Sequence, residues 1–436
     1  MNQFVFEKRQ KTVLLGFMIL GVLCLLGSLI GDDELHTRFW TNFLHNSVFF
    51  TGIAFISLFI MTAFTTAWAG WHTNFKRVWE AFSLFMIPGS ILMLVVALGV
   101  IFGFNHLYHW ADAEAVAEDT ILKGKSGFLN PTMYTIFTVV VMGAWIFFAR
   151  KIRSISLAED EAGEGMSDNY KHHRKLRVWS AAFLPVAGFL SAAIIWQWIM
   201  SLDAHWYSTL FAWYTAASWF VAAMALTTMV LIYLKGKGYF QNITADHFHD
   251  IGKYMFGISI FWTYLWFSQF MLIWYANVGE ETIYFYERMH EYPFMFWANL
   301  GLNFVLPFFI LMRNDTKRKY GTMFTASFLL FIGHWLDFFL MIKPGARHTA
   351  TETIAHRHAA DAAHGAEAAG HEGGHHALEF LMGFTIPGLL EFGIMLGFLA
   401  GFLYYVFRQL AKAPLAPKND PYLSEAGHHH VWPYID

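Results

Sequence analysis

The chain has 436 residues, of which 56% are hydrophobic, 19% aromatic and only 14% charged. A soluble domain carries roughly 25% charged residues, so this composition excludes an ordinary soluble globule. The formal net charge of −3 excludes the basic surface that a nucleic-acid partner would need. The single cysteine, Cys24, can form neither an intrachain disulfide nor a cysteine-ligated iron–sulfur cluster, and no C-x-x-C-H marks a c-type haem.

A bilayer core takes about 20 apolar residues per helix. Ten stretches qualify, at roughly 12–30, 46–69, 80–104, 130–149, 178–200, 209–234, 251–277, 293–312, 320–342 and 380–408. They are continuous runs rather than the short alternating strands of a β-barrel. The first is too long for the apolar region of a leader peptide and is read as a span. The expected fold is therefore an all-α integral membrane protein of about ten transmembrane helices. Residues 1–342 carry helices one to nine, 343–379 form a His/Ala/Gly-rich loop, 380–408 the tenth helix and 409–436 a tail.

Lys and Arg set the orientation. Twenty-one of them fall in the N-terminus, the even loops and the C-terminal tail, including Lys76, Arg77, Arg153, Lys171, Arg174 and Lys175, against seven in the alternate loops. Both termini are expected to be cytoplasmic. The opposite face is acidic and histidine-rich, with His106, His109, Asp112, Glu118 and Asp119 in one loop and Glu280, Glu281, Glu287 and Glu291 in another. The loop 343–379 holds His348, His356, His358, His364, His371, His375 and His376, and reads as a solvated linker. Gly393, Gly397 and Gly401 on helix ten, and Gly99 with Gly103 on helix three, have the spacing of close helix–helix contacts.

Ionisable groups at membrane depth are costly and mark function. Helix nine carries His334 and Asp337 in "GHWLDFF", three apart and so on one face. Helix ten carries Glu391, read as near mid-bilayer. Helix seven carries Tyr264 and Gln269, helix eight Asn299 and Asn303, and helix five ends at Asp203, followed by His205. A haem b needs facing intramembrane histidines, and only His334 is clearly placed for that, so no cofactor and no metal is expected on this chain. Asp203 and His205 have no Lys or Arg near them in sequence. Three readings stay open for them: a hydrated helix end, a quinol site where one acts as base, or a stop on a proton path continued by His334, Asp337 and Glu391.

The stretches "MSLDAHWYSTLFAWYTAASWFVA" from Met200, "WTYLWFSQFMLIWYANVGEET" from Trp262 and "PKNDPYLSEAGHHH" from Pro417 resemble the NrfD-like membrane subunits of the polysulfide-reductase superfamily. More narrowly, they resemble the F-type (ActF) subunits of bacterial alternative complex III. The resemblance implies two four-helix bundles, helices two to five and six to nine, with helices one and ten peripheral. It also implies a bacterial cytoplasmic-membrane complex that oxidises menaquinol and reduces a cytochrome c or a terminal oxidase. Its partners would be an NrfD-like paralogue, an iron–sulfur subunit and c-type haem subunits, which carry the cofactors. Asp203 of "SLDA" and His205 of "HWYST" match the remnants of two stretches, W-D-F-A and G-W-H-S-T, of the quinol-holding paralogue. Here the segment between them is missing and the G-W is replaced by Asp203-Ala204.

The implied role is a cofactor-free subunit of a quinol:cytochrome c or quinol:oxidase oxidoreductase, structural and proton-conducting through Asp203, His205, His334, Asp337, Glu391, Gln269 and Tyr264. A second quinol-binding subunit using Asp203 and His205, a stand-alone secondary transporter and a pure scaffold are the alternatives.

Overall fold

A computed structural model describes residues 3–162, 170–363 and 381–431. The described residues are mostly helical, with no strand among them, and ten helices are long and apolar enough to cross a membrane. In chain order these are α1 (Lys8–Gly27), α2 (Thr37–Thr66), α3 (Lys76–Ile101), α4 (Pro131–Glu161), α5 (Lys171–Trp198), α6 (Leu210–Gly236), α7 (Ala245–Ala276), α8 (Pro293–Met312), α9 (Tyr320–Ala363) and α10 (Leu389–Leu410). Only a helix satisfies every backbone N–H and C=O within its own segment, which is why such continuous apolar runs fold this way in lipid.

Helices α2 to α5 pack as one four-helix bundle and α6 to α9 as a second. The bundles meet where α2 packs on α6 and α9, and α5 on α6. The apolar window of α2 is 89% buried, against 6% for α1, so α2 forms the centre and α1 the rim. Helix α1 pairs with α10, and the two lie against α2 and α3. The chain ends share one face, where the Gln3 amide donates to the Ala411 carbonyl at 2.9 Å. This is the basic face. The opposite face carries Asp203.

Two of the three α10 glycines lie where close approach requires them, whereas a Cβ on Gly401 would meet only Met18 at 3.9 Å. A Cβ on Gly397 would stand 2.5 Å from the Cα of Gly21, and one on Gly393 2.4 Å from Cys24 Sγ. The α3 motif behaves otherwise: Gly99 makes room for the Trp40 ring, and Gly103 ends the helix at φ +69° with open space beside it.

Two boundary differences move candidate residues, and one helix carries an unexpected turn. Helix α9 does not stop at 342 but continues to Ala363 through Pro344, so the first half of the presumed loop is helix. His364, His371, His375 and His376 lie outside the described residues. Helix α10 begins at Leu389 rather than 380, which places Glu391 in its first turn and not at mid-bilayer. Helix α8 contains a π-turn, Gly301–Val305. Pro307 lacks the amide that the Asn303 carbonyl would otherwise accept, and the wider turn falls just before it.

Gly397→Val places branched carbons against the α1 backbone. It is expected to destabilise the α1–α10 pair by about 1–3 kcal/mol, read as a lower unfolding midpoint in detergent, whereas Gly103→Asn, at an open left-handed position, leaves the midpoint nearly unchanged.

Candidate functional site on the Asp203 face

Pro344 has no N–H, so the Leu340 carbonyl, one turn earlier in α9, has no helical donor. That carbonyl accepts instead from Arg288 Nε at 3.1 Å. Arg288 lies on a short amphipathic helix, Gly279–His290, that follows α7. Its other nitrogens donate to the Tyr284 carbonyl at 2.9 Å and to Asp203 Oδ2 at 2.9 Å. The guanidinium also stacks on the Tyr284 ring, 3.4 Å from its centroid, and Tyr284 stacks on Trp206. The next residue, Gly345, is the close approach that admits Asp203, since a Cβ there would lie 2.8 Å from its carboxylate. Asp203 is thus paired with a buried cation 85 residues away in sequence.

His205 has a different partner. Its Nε2 hydrogen-bonds Asp119 Oδ2, and Lys125 Nζ holds the same loop by donating to the Ala204 carbonyl at 2.7 Å. Both side chains line one open cavity of about 350 Å³, together with His109, Glu287, His348 and Glu352. Burial first, and then the Asp203 carboxylate, push the Glu287 carboxyl up to about 7, against the pull of Arg288 and His348.

Asp337 is fully buried in the second bundle. The Tyr214 hydroxyl of α6 donates to its Oδ1, as does Asn299 Nδ2 of α8 at 2.8 Å, and Trp262 Nε1 of α7 donates to Oδ2 at 2.9 Å. Asn303 supports Asn299 at 2.6 Å. One carboxylate of α9 therefore ties together all four helices of the bundle. His334, one turn back, hydrogen-bonds Ser218 at 2.9 Å, and its other ring nitrogen is buried without a partner among the described residues.

A second cavity, of about 20 Å³, lies between these two sites. It is lined by Tyr214, Gln269, Tyr284, Arg288 and Asn299 among others. That volume holds one water, which needs roughly 10–15 Å³. Tyr284 lines both cavities, and the Arg288–Asp203 pair closes the gap between them. Polar groups thus stand on both sides of the small cavity, Asp203, Arg288 and Tyr284 toward the open cavity and Tyr214, Asn299 and Asp337 within the bundle, with no direct hydrogen bond between the two sets among the described residues.

Two expected members stand elsewhere. Tyr264 is 63% exposed on the outer surface of α7 and joins neither set. Glu391 pairs with Arg38 at 2.9 Å and accepts from Asn42, between α2 and α10, and makes no contact with Asp337 or His334 among the described residues. Gln269 does line the inner cavity, with its amide bonded to its own helix. Sequence reasoning missed Arg288, although it is the one Lys or Arg between Lys253 and Arg313. It also missed Lys343, which the continued α9 buries and which donates to Thr41 at 2.8 Å, and His45, which stacks on Trp335 deep in α2.

Comparison with protein-family models and with curated proteins finds no match for this chain.

Arg288→Ala strips Asp203 of its cation and Leu340 of its donor. Removing one partner of a buried pair costs about 3–5 kcal/mol, to be read from detergent unfolding. Glu287 is raised from an unfolded value near 4.5, so the native state favours its neutral form. That contribution is present in full below pH 4.5 and is lost as pH rises through about 7. The unfolding midpoint of Glu287→Gln is therefore expected to gain on that of the wild type between pH 4.5 and 7 and to run parallel to it above, the gain amounting to roughly 2–3 kcal/mol.

Proposed function

We propose that this chain is a cofactor-free membrane subunit of a quinol-oxidising electron-transfer complex of the bacterial cytoplasmic membrane. In this reading its second bundle forms a proton half-channel between the Asp203 face and Asp337. The observation that carries it is the fully buried Asp337 carboxylate, whose partners Tyr214 and Asn299 line a one-water space that the Arg288–Asp203 pair separates from an open cavity. A scaffold needs polar contacts between helices, but not a cavity beside them. The partners are those the sequence resemblance implies: an NrfD-like paralogue and subunits bearing iron–sulfur clusters and c-type haems. The Lys/Arg distribution supports both termini in the cytoplasm and the Asp203 face outside.

The chemistry follows from the hydrogen bonds. The Tyr214 hydroxyl donates to Asp337, so it passes its proton to the carboxylate as it takes another from the inner cavity. Release runs in reverse. Tyr284 and the Arg288–Asp203 pair stand between that cavity and the outside, and Asp203 is the first carboxylate a released proton meets. Toward the basic face, no hydrogen bond among the described residues continues beyond His334 and Ser218. The path is therefore half of a membrane crossing, and a partner or a conformational change must supply the rest.

The 350 Å³ cavity favours a second reading, a quinol head-group site. Its volume falls within the range of small-molecule pockets, and Leu202, Ile283 and Trp206 line it beside Asp203 and His205. In that reading His205, held by Asp119, is the base. Photolabelling with an azidoquinone is expected to mark the segment 199–209 if this holds, and to mark only a partner subunit if it does not.

The decisive test is Asp337→Asn in the intact complex, reconstituted in vesicles. The substitution preserves an acceptor for Asn299 or Trp262 but cannot carry a proton. Proton release per electron is expected to fall while uncoupled quinol oxidation continues. An unchanged ratio contradicts the half-channel, and a chain that purifies without haem-bearing partners contradicts the assignment to such a complex.

A further inference from the structure

The basic face holds a second cluster that the proton path does not use. Glu159 ends α4, His173 opens α5, and Asp420 lies in the tail, and all three are buried. Their ligand atoms lie within 4.8 Å of one another. His173 is 8% exposed, and both of its ring nitrogens are buried without a hydrogen-bond partner. Glu159 Oε2 has only the Lys76 ammonium, at 3.5 Å. An imidazole with neither nitrogen satisfied leaves a desolvation cost that a bound cation would offset.

Carboxylates are crowded here. Glu80, Glu159, Asp160 and Asp420 share Lys76, Arg77 and Arg153 in ion pairs, and Arg177 stands one turn on from His173 in α5. Lys76 takes Asp420 Oδ2 and stands 3.5 Å from Glu159, while His173 approaches from α5. A cavity of about 340 Å³, lined by Trp68, Tyr170, His173, Arg177 and Tyr422, opens this corner to solvent. It provides both a route in and room for a water as fourth ligand.

We propose that Glu159, His173 and Asp420 bind a divalent transition-metal ion, with Zn²⁺ as the fitting probe, and that the ion fastens the C-terminal tail to the α4–α5 hairpin. One imidazole and two carboxylates form a donor set that zinc accepts, at bonds of about 2.0–2.2 Å. Four-coordinate zinc holds its ligands about 3.4 Å apart, so the three side chains close inward on the ion, and Lys76, which bridges Asp420 Oδ2 and Glu159 Oε2, gives up Glu159 and keeps Asp420. The tail is already docked here, since Lys418 N donates to Asp160 at 2.8 Å and Asn419 to the Glu159 carbonyl at 3.1 Å. The ion would tighten that docking.

The test is limited trypsinolysis of the full chain in detergent, with and without Zn²⁺. The readout is cleavage after Lys418, two residues from Asp420. Cleavage after the exposed Lys237, in the α6–α7 loop, controls for any effect on the protease, and mapping one bond sets aside zinc taken up by the histidine-rich segment. With zinc at ten times its Kd, cleavage after Lys418 is expected to slow about ten-fold in the wild type. It is expected to slow equally in His172→Ala, whose side chain is not a ligand, and not at all in His173→Ala. If His173→Ala misfolds, His173→Gln replaces it, and Glu159→Gln serves as an independent ligand variant. Absence of protection in the wild type, or equal protection in the His173 variants, overturns the proposal, and the second result assigns the zinc to other histidines.

Discussion

One missing amide organises the Asp203 face. Pro344 cannot donate to Leu340, and the freed carbonyl would be costly to leave unpaired in a buried helix. Arg288 takes that carbonyl, and in doing so its guanidinium is aimed at Asp203, which Gly345 leaves room to receive. Three consecutive residues, Lys343, Pro344 and Gly345, therefore do three separate jobs. Lys343 bonds Thr41 between the bundles, Pro344 presents a carbonyl, and Gly345 admits a carboxylate. The short helix Gly279–His290, the α5–α6 loop and α9 are held in register by this single cation.

The same pressure to pair polar groups in the membrane shapes the second bundle. Asp337 draws one donor from each of α6, α7 and α8, so the carboxylate fixes the rotation of all four helices about their axes. The π-turn in α8 lies between Asn299 and Pro307 and belongs to this arrangement. A network so satisfied serves as interhelical glue. The adjoining one-water cavity makes the proton reading more than that, because a relay through Tyr214 needs a second proton carrier on its outer side.

Much of this was legible in the sequence, because hydropathy periods are local. Ten apolar runs gave ten helices, the spacing of His334 and Asp337 placed them on one face, and the α10 glycines signalled close packing, here against α1. What failed was non-local or depended on a breaker. Proline in "MIKPGAR" reads as a helix end, yet α9 continues because Arg288 compensates the lost hydrogen bond. The Asp203 partner was invisible at a separation of 85 residues, and Glu391 was misplaced in depth because the tenth helix starts nine residues later than its hydropathy suggests. The Glu159–His173–Asp420 cluster joins the α4–α5 hairpin to a tail far along the chain and left no local pattern.

The central claim is that Asp337 takes up and releases a proton during quinol oxidation, exchanging it with the Asp203 face. Infrared difference spectroscopy of the intact complex on quinol addition tests this directly. The account predicts a protonated-carboxyl C=O band that changes with turnover, shifts in D₂O and is absent from Asp337→Asn. A band unaffected by that substitution, or none that exchanges with D₂O, would contradict it and leave Asp337 as structural glue.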